Sequence, residues 1–424
     1  MIINGYEEYN NLKSRMDAEK YFQTRILRDY YAHPVVNDVL CCAVTFLSGD
    51  TYIYSVTHKD AHTFPVIETN NELNADVAVY KNGEHIDIHD YYTSYINETH
   101  TMFSRISDIN KTVPIVLWGK ILKKYNHKIL ELADFTMDST YTFLDDAVSC
   151  LRTIERSGLA VDVEVFKDKF EDKTHRFIKD GKVYSQYFPY TMTGRPSNRF
   201  GSVNFSALNK SDGTRSAFIS RFENGKLVQL DFESYHLRLI GNYMNVELPT
   251  EPVHQYLAKL YFGKENITDT EYEEGKQITF SILYGNEVET DIPLLNSIKS
   301  LSKEIYTSYL TNNVLFAPIS GRKISIQELD ATENKLFNYF VQSLEFESTV
   351  PKLSKILQAL DNKVSKVLLY TYDAVLLDCH PEELSGIVGV VEEILSDGGY
   401  PLRMSIGTNY DNLTKKASLF DDTI

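Results

Sequence analysis

The sequence predicts an α+β protein of two units, from its length, from strand and hairpin signals over the first 150 residues, and from short apolar strands that lead straight into helices after them. At 424 residues the chain is long enough to bury one or two cores. Its apolar share of 43% and charged share of 24% are ordinary for a globular protein in water. Met1 to Asn10 holds no basic region leading into an apolar run, and no stretch approaches the ~18 apolar residues of a membrane span. Neither a signal peptide nor a membrane anchor is therefore expected. The four cysteines (Cys41, Cys42, Cys150, Cys379) form no Cys-x-x-Cys arrangement, which argues against a zinc ribbon or disulfide framework and for a cytoplasmic setting.

In the first unit, 1–150, residues 40–46 and 52–56 read as strands around a Ser48-Gly49-Asp50 turn. Residues 77–80 and 85–88 flank Lys81-Asn82-Gly83-Glu84, a strong hairpin signal. Helical stretches follow near 91–106 and 118–132. Helical periodicity over 143–157 ends at Gly158, and 159–163 opens the second unit, 151–424.

The net charge of −16 argues against a nucleic-acid partner, because neutralising phosphates takes Lys and Arg. Its distribution argues otherwise. Between Lys173 and Lys226 ten Lys or Arg face three acids (Asp180, Asp212, Glu223), a local excess of seven positive charges. A solvated basic face would give the same pattern.

Two carboxylates stand out. Leu227-Val228-Gln229-Leu230-Asp231-Phe232 is an apolar strand ending in Asp231, and a helical pattern follows at once. Far downstream, residues 367–377 read as two buried strands meeting at Asp373. On neighbouring strands the pair would make a hard oxygen site suited to Mg²⁺. Taken singly, each reads equally as a solvated strand-end acid. Between them, Lys276, Phe280 and Tyr284 recur at i, i+4, i+8 and so share one helix face. A cation followed by two rings suits a nucleoside triphosphate; an amphipathic core helix with a snorkelling Lys is the plainer alternative.

The order of these segments resembles the three motifs of the family A DNA polymerases. Asp231-Phe232-Glu233-Ser234-Tyr235-His236-Leu237-Arg238 resembles motif A, Lys276 to Gly285 motif B, and Tyr372-Asp373-Ala374 motif C. Further segments agree in order. Ile154-Glu155-Arg156-Ser157-Gly158 with Val161-Asp162 resembles the opening of the polymerase domain. Thr191-Met192-Thr193-Gly194-Arg195-Pro196-Ser197 resembles a segment that touches the primer–template minor groove. His254 precedes Phe262-Gly263 as in the family. Asn338-x-x-x-Gln342 resembles its minor-groove pair, and Asn409-Tyr410-Asp411 its closing segment. The resemblance covers about 150–412.

It implies a right-hand palm and fingers and a template-directed DNA polymerase, adding dNTPs to a primer 3′-hydroxyl by two-metal phosphoryl transfer. Asp231 and Asp373 would be catalytic and, with Phe232, would hold two Mg²⁺ ions. Lys276, His254, Phe280, Tyr284, His236 and Lys210 would bind the nucleotide. Arg195, Asn204, Arg215, Asn338, Gln342 and Tyr372 would contact DNA. His236 stands where the family has the Glu that excludes ribonucleotides, and Tyr272 where it has an Arg. Motif C loses its flanking His and Glu to Tyr372 and Ala374. Between Val163 and Lys182 there is room for one short helix, so the thumb is expected to be much reduced. The first unit stands where the family carries a 3′–5′ exonuclease. The first-strand Asp-x-Glu metal pair of that fold is not evident before Val39, so a degenerate exonuclease-like domain without proofreading is expected. The compact, divergent motifs suggest a viral member, acting in the host cytoplasm. The tail resembles a sliding-clamp-binding peptide at Ser418-Leu419-Phe420. Two other readings are a catalytically inactive primer–template binding module and an end-extending or gap-filling nucleotidyltransferase. No membrane partner is expected.

Overall fold

The computed structural model describes residues 1–28, 38–58, 61–66, 77–81, 84–86, 114–117, 122, 142–188, 191–198, 203–284, 291–324, 326 and 331–416. The helical stretches expected near 91–106 and 118–132, the turn at 82–83 and the tail peptide Ser418 to Phe420 lie outside them, apart from Leu122.

The first unit is built on a six-stranded sheet in the order Ile2–Ile3, Thr51–Ser55, Val39–Phe46, Phe22–Arg28, Val77–Lys81, Glu84–Ile86. Only the first pair is parallel; the others are antiparallel neighbours. Helix Tyr6–Glu19 lays Tyr9 and Leu12 onto one face, against Phe22, Val44, Phe46 and Tyr54. Arg15 fixes the helix to the Ser48-Gly49-Asp50 turn, donating to Asp50 at 3.0 Å and to the Tyr52 hydroxyl at 2.6 Å while its guanidinium covers the Phe46 ring. The strands at 40–46 and 52–56 are thus where alternation put them.

Helix Thr142–Ser157 runs across position 150 and ends before Gly158. Its inner face (Ala147, Cys150, Leu151, Ile154) joins the core of the second unit. Buried Glu155 accepts from the Tyr187 backbone N–H and from Arg152, which ties the helix to strand Tyr187–Phe188.

The second unit is organised by a five-stranded antiparallel sheet, ordered Lys366–Tyr370, Ala374–Cys379, Lys226–Phe232, Leu402–Gly407, Thr414–Lys416. Period-two alternation divides its faces. Val228, Leu230 and Phe232 of the middle strand turn towards the main core, built with helices Thr142–Ser157, Glu333–Ala359 and Leu384–Ser396. Leu227, Leu368 and Leu376 turn the other way, towards Phe166, Phe205, Phe218 and Tyr410. Asp231 belongs to that second face by parity.

A helical hairpin rises from the sheet: Val253–Phe262 packs against Asp269–Tyr284, followed by Pro293–Asn312. The first two approach closely at Gly275, where an added Cβ would stand 2.9 Å from the Ala258 Cβ. Between Asp162 and Lys182 the chain forms two short helices, Val163–Lys169 and Asp172–His175, where one was expected. Asp162 caps the first by accepting from the N–H groups of Glu164 and Val165, each at 3.1 Å, which is why the chain turns helical directly after Val161. The thumb amounts to these two helices.

Candidate active site

The middle strand brings Asp231 near its end, and Asp373 sits in the turn joining its neighbour Ala374–Cys379 to the edge strand Lys366–Tyr370. Asp231 pairs with Ala374 across the sheet, and the Phe232 N–H donates to the Asp373 carbonyl at 2.8 Å. The turn is tight: Thr371 donates to the Ala374 carbonyl at 2.9 Å, and Tyr372 is forced to φ +70°. A non-glycine residue in that left-handed region stores strain. The two carboxylates, 142 positions apart in the chain, are thus brought together, one near a strand end and the other in the turn that opens the neighbouring strand.

Burial and neighbouring acids outweigh the nearby cations at both carboxyls. Burial, and then the negative charge of Asp373, push the Asp231 carboxyl up to about 6, with Arg403 and Lys210 pulling the other way. Asp373 is open to solvent on one side yet ringed by protein. Its pKa is raised by that enclosure and then by Glu345, while Arg195 and His236 oppose. A divalent cation relieves this kind of strain. Among the described residues no three His, Cys, Asp or Glu cluster with ligand geometry. Two aspartates and the Phe232 carbonyl leave most of an octahedral shell to water and phosphate oxygens, which is how Mg²⁺ is commonly held. The donor set fits.

Helix Asp269–Tyr284 presents Lys276 and Phe280 on one face, both partly exposed. The Phe280 ring lies 5.2 Å from that of His254, edge to face. Tyr284 closes the helix, its side chain outside the described set. Burial, opposed by Glu233 and helped by Lys276 and Arg403, pushes His254 down to about 4, so its imidazole is neutral at neutral pH. The Lys276 ammonium faces Glu273 at 3.8 Å and the Tyr272 ring at 6.0 Å.

Glu233 is the anchor under this arrangement, and sequence reasoning gave it no role. It is buried, and its Oε2 accepts from two nitrogens of Arg238, at 3.1 and 2.9 Å, while Ser234 donates to its other oxygen. Arg238 also donates to the carbonyls of Pro249 and Glu251, and the Val253 N–H reaches Glu233 at 3.4 Å. One buried ion pair thereby fixes the start of the helix that carries His254. The sequence shows only an i, i+5 charge pair there.

A second buried acid, Glu345 on the long helix Glu333–Ala359, was also missed. Its carboxylate is almost wholly enclosed, 3.0 Å from Arg195 and 3.4 Å from His236. The Arg195 guanidinium stacks on the Tyr372 ring at 3.8 Å. Arg195 and His236 therefore meet on Glu345, and Arg195 carries the link on to Tyr372, the neighbour of Asp373. An acid inside a long helix carries no local signal of this.

The groups expected to touch the minor groove are also joined. Gln342 donates to Asn338 at 3.0 Å, and the Thr193 hydroxyl donates to Gln342 at 3.3 Å. Gly194, at φ +78°, lets that turn pass Phe346, which an added Cβ would meet at 2.8 Å. Arg322 secures the same turn by donating twice to the Met192 carbonyl. Asn204 is exposed and accepts from Ser206, and Lys210 is exposed near Asp231. The basic stretch is partly turned inward. Arg215 donates to the Leu208 carbonyl and covers the Tyr410 ring, and Arg221 pairs with buried Asp378 at 2.8 Å.

The sheet with its paired aspartates and the helical hairpin above it make the palm and fingers of a right-hand polymerase fold. The comparisons agree on that class. No family model matches the sequence. The chain is 24% identical over 220 residues to DNA polymerase I of Aquifex aeolicus (strain VF5), a match covering 49% of this chain. It spans about a third (34%) of that relative's length. It superposes with a TM-score of 0.69 and 12% identity on the POL domain of Pol1 from M. smegmatis, solved in complex with DNA primer-template and dNTP, covering 97% of this chain and 99% of that one. The likeness gives the α+β palm-and-fingers fold expected from the motifs.

Proposed function

We propose that the chain is a template-directed DNA polymerase that extends a primer 3′-hydroxyl with dNTPs. The observation that carries the reading is that Asp231 and Asp373 come together at one end of the palm sheet, each with its carboxyl pKa raised by burial and by a neighbouring acid. Asp231, Asp373 and the Phe232 carbonyl would hold two Mg²⁺ ions, which when bound lower the pKa of an attacking hydroxyl and stabilise a leaving pyrophosphate. Lys276 supplies a cation to the triphosphate, and neutral His254 supplies an N–H donor. Phe280 packs against the incoming base or sugar, with Tyr284 one turn on. His236, held against Glu345, stands at the sugar and rejects a 2′-hydroxyl by bulk. Lys210, exposed near Asp231, is a further cation for the nucleotide; Arg195, Asn338, Gln342 and Tyr372 face the minor groove of the last base pairs, and Asn204 and Arg215 lie along the path of the strands. Rotation of the Asp269–Tyr284 helix towards the sheet over a correct pair would gate the step.

Residues 1–150 are read as a degenerate exonuclease-like domain and 151–424 as the polymerase proper. The three central strands of the first sheet, Phe22–Arg28, Val39–Phe46 and Thr51–Ser55, carry no Asp or Glu to hold an exonuclease metal, which supports that reading. The viral character and the clamp contact at Ser418-Leu419-Phe420 rest on the sequence alone. Among the described residues no helix is long and apolar enough to cross a membrane.

Primer extension with one dNTP withheld tests the proposal. A template-directed enzyme stops before each complement of the missing base. An inactive binding module gives no product, and an end-extending transferase reads past the stop; either result overturns it.

A further inference from the structure

Arg403 lies directly across the sheet from Asp231, so both side chains project to the same face. Its guanidinium reaches Glu233 at 3.4 Å and is 47% exposed. Its charge is felt by two groups at once, lowering the pKa of both Asp231 and His254. Its contact places the cation beside Asp231 and against Glu233, the acid that holds the start of the His254 helix.

The contact with Glu233 does not consume this charge. Glu233 is already neutralised by Arg238, which donates twice to its Oε2 within the protein. Two guanidiniums thus share one carboxylate, and the more exposed of them keeps most of its five donors for solvent or ligand. On the opposite side the supply of positive charge is thin. His254 is neutral, Tyr272 contributes a ring, and Lys276 is partly offset by Glu273. A triphosphate bridging the aspartates and the fingers helix is a polyanion that Lys276 and the exposed Lys210 balance only in part. Its oxygens would pass the surplus guanidinium.

We propose that Arg403 binds the triphosphate of the incoming nucleotide from the palm side, opposite Lys276. This rests on the polymerase reading above but concerns a residue that none of the three motifs contains. The planar fork of Arg suits two phosphate oxygens at once, which a Lys cannot match.

The test uses the full chain and three variants: Arg403→Leu, Arg403→Lys, and Arg403→Leu combined with Tyr272→Arg. Loss of a charge-assisted contact predicts a dNTP KM raised roughly 10- to 100-fold in Arg403→Leu, with primer–template Kd and Tm close to wild type. Arg403→Lys should fall between. Tyr272→Arg should restore part of the loss, because position 272 is one turn from Lys276 and its ring already lies beside the ammonium. A purely structural Arg403 would not be rescued from a different element. A second arm titrates inorganic tripolyphosphate by calorimetry, without metal or DNA, and Arg403→Leu should weaken its Kd by a similar factor. An unchanged KM in an enzyme that extends primers overturns the inference and leaves the polymerase reading standing. If the wild type extends nothing, the polymerase reading falls, and the tripolyphosphate arm decides the Arg403 site by itself.

Discussion

Asp231 shows how the site trades stability for chemistry. Its carboxyl is lifted to about 6 by burial and by Asp373, so above that pH the folded state carries a charge it holds badly. A raised acid contributes stability that is fully present below its unfolded value near 4 and is lost as pH rises through about 6. Asp231→Asn removes the charge with little change of shape. In metal-free buffer at pH 8 the variant should be more stable than wild type, by up to about 3 kcal/mol, since a tenfold change in proton affinity corresponds to ~1.4 kcal/mol. The advantage should fade between pH 6 and pH 4, which paired urea melts would show. Activity runs the other way: Asp231→Ala or Asp373→Ala should abolish extension while primer–template Kd stays nearly unchanged. Wild-type-like extension by either variant would remove both from the metal site.

At the scale of elements, what could be read in advance was what repeats locally. Strand Lys226–Phe232 announced itself by an apolar run ending in an acid, and helix Asp269–Tyr284 by three residues at helical spacing. The groups that aim these elements could not be read, because each acts through a distant partner. Glu345 is separated by 150 positions from Arg195 and by 109 from His236. Arg403 meets Asp231 only once the strands are paired. The thumb was underestimated by one helix because Glu171 to His175 is too short for periodicity to register. The long helix carrying Glu345 yields a prediction about sugar choice. His236→Ala should raise ribonucleotide over deoxyribonucleotide kcat/KM by removing the steric block. Glu345→Gln should raise it less, by loosening His236 without deleting it, and Glu345→Asp should recover part of the discrimination. Steady-state kinetics with matched rNTP and dNTP pairs measure all three; selectivity unchanged in His236→Ala would move the gate elsewhere.

For the whole molecule, the two short helices after Asp162 leave little protein to wrap a duplex. Extension in the presence of a heparin trap should therefore end after few additions per binding event, and long products under trap would contradict the small thumb. The first unit is expected to remove no mismatched 3′ nucleotide in Mg²⁺; such trimming, lost on deleting residues 1–150, would show a working exonuclease. A clamp contact at Ser418 to Phe420 is best tested by removing 418–424, because a cut at 415 would also take part of the strand Thr414–Lys416 from the palm sheet.

That last strand has a bearing on how the protein behaves at high concentration. Without it, the backbone groups of Leu402–Gly407 would be open to pairing with any extended chain nearby, including a second molecule. Among the described residues Thr414–Lys416 occupies that margin, and two of its three residues are lysines, so the border they form is positively charged. Like-charged borders repel one another, which guards against edge-to-edge aggregation while leaving the sheet's rim attractive to a polyanion such as DNA.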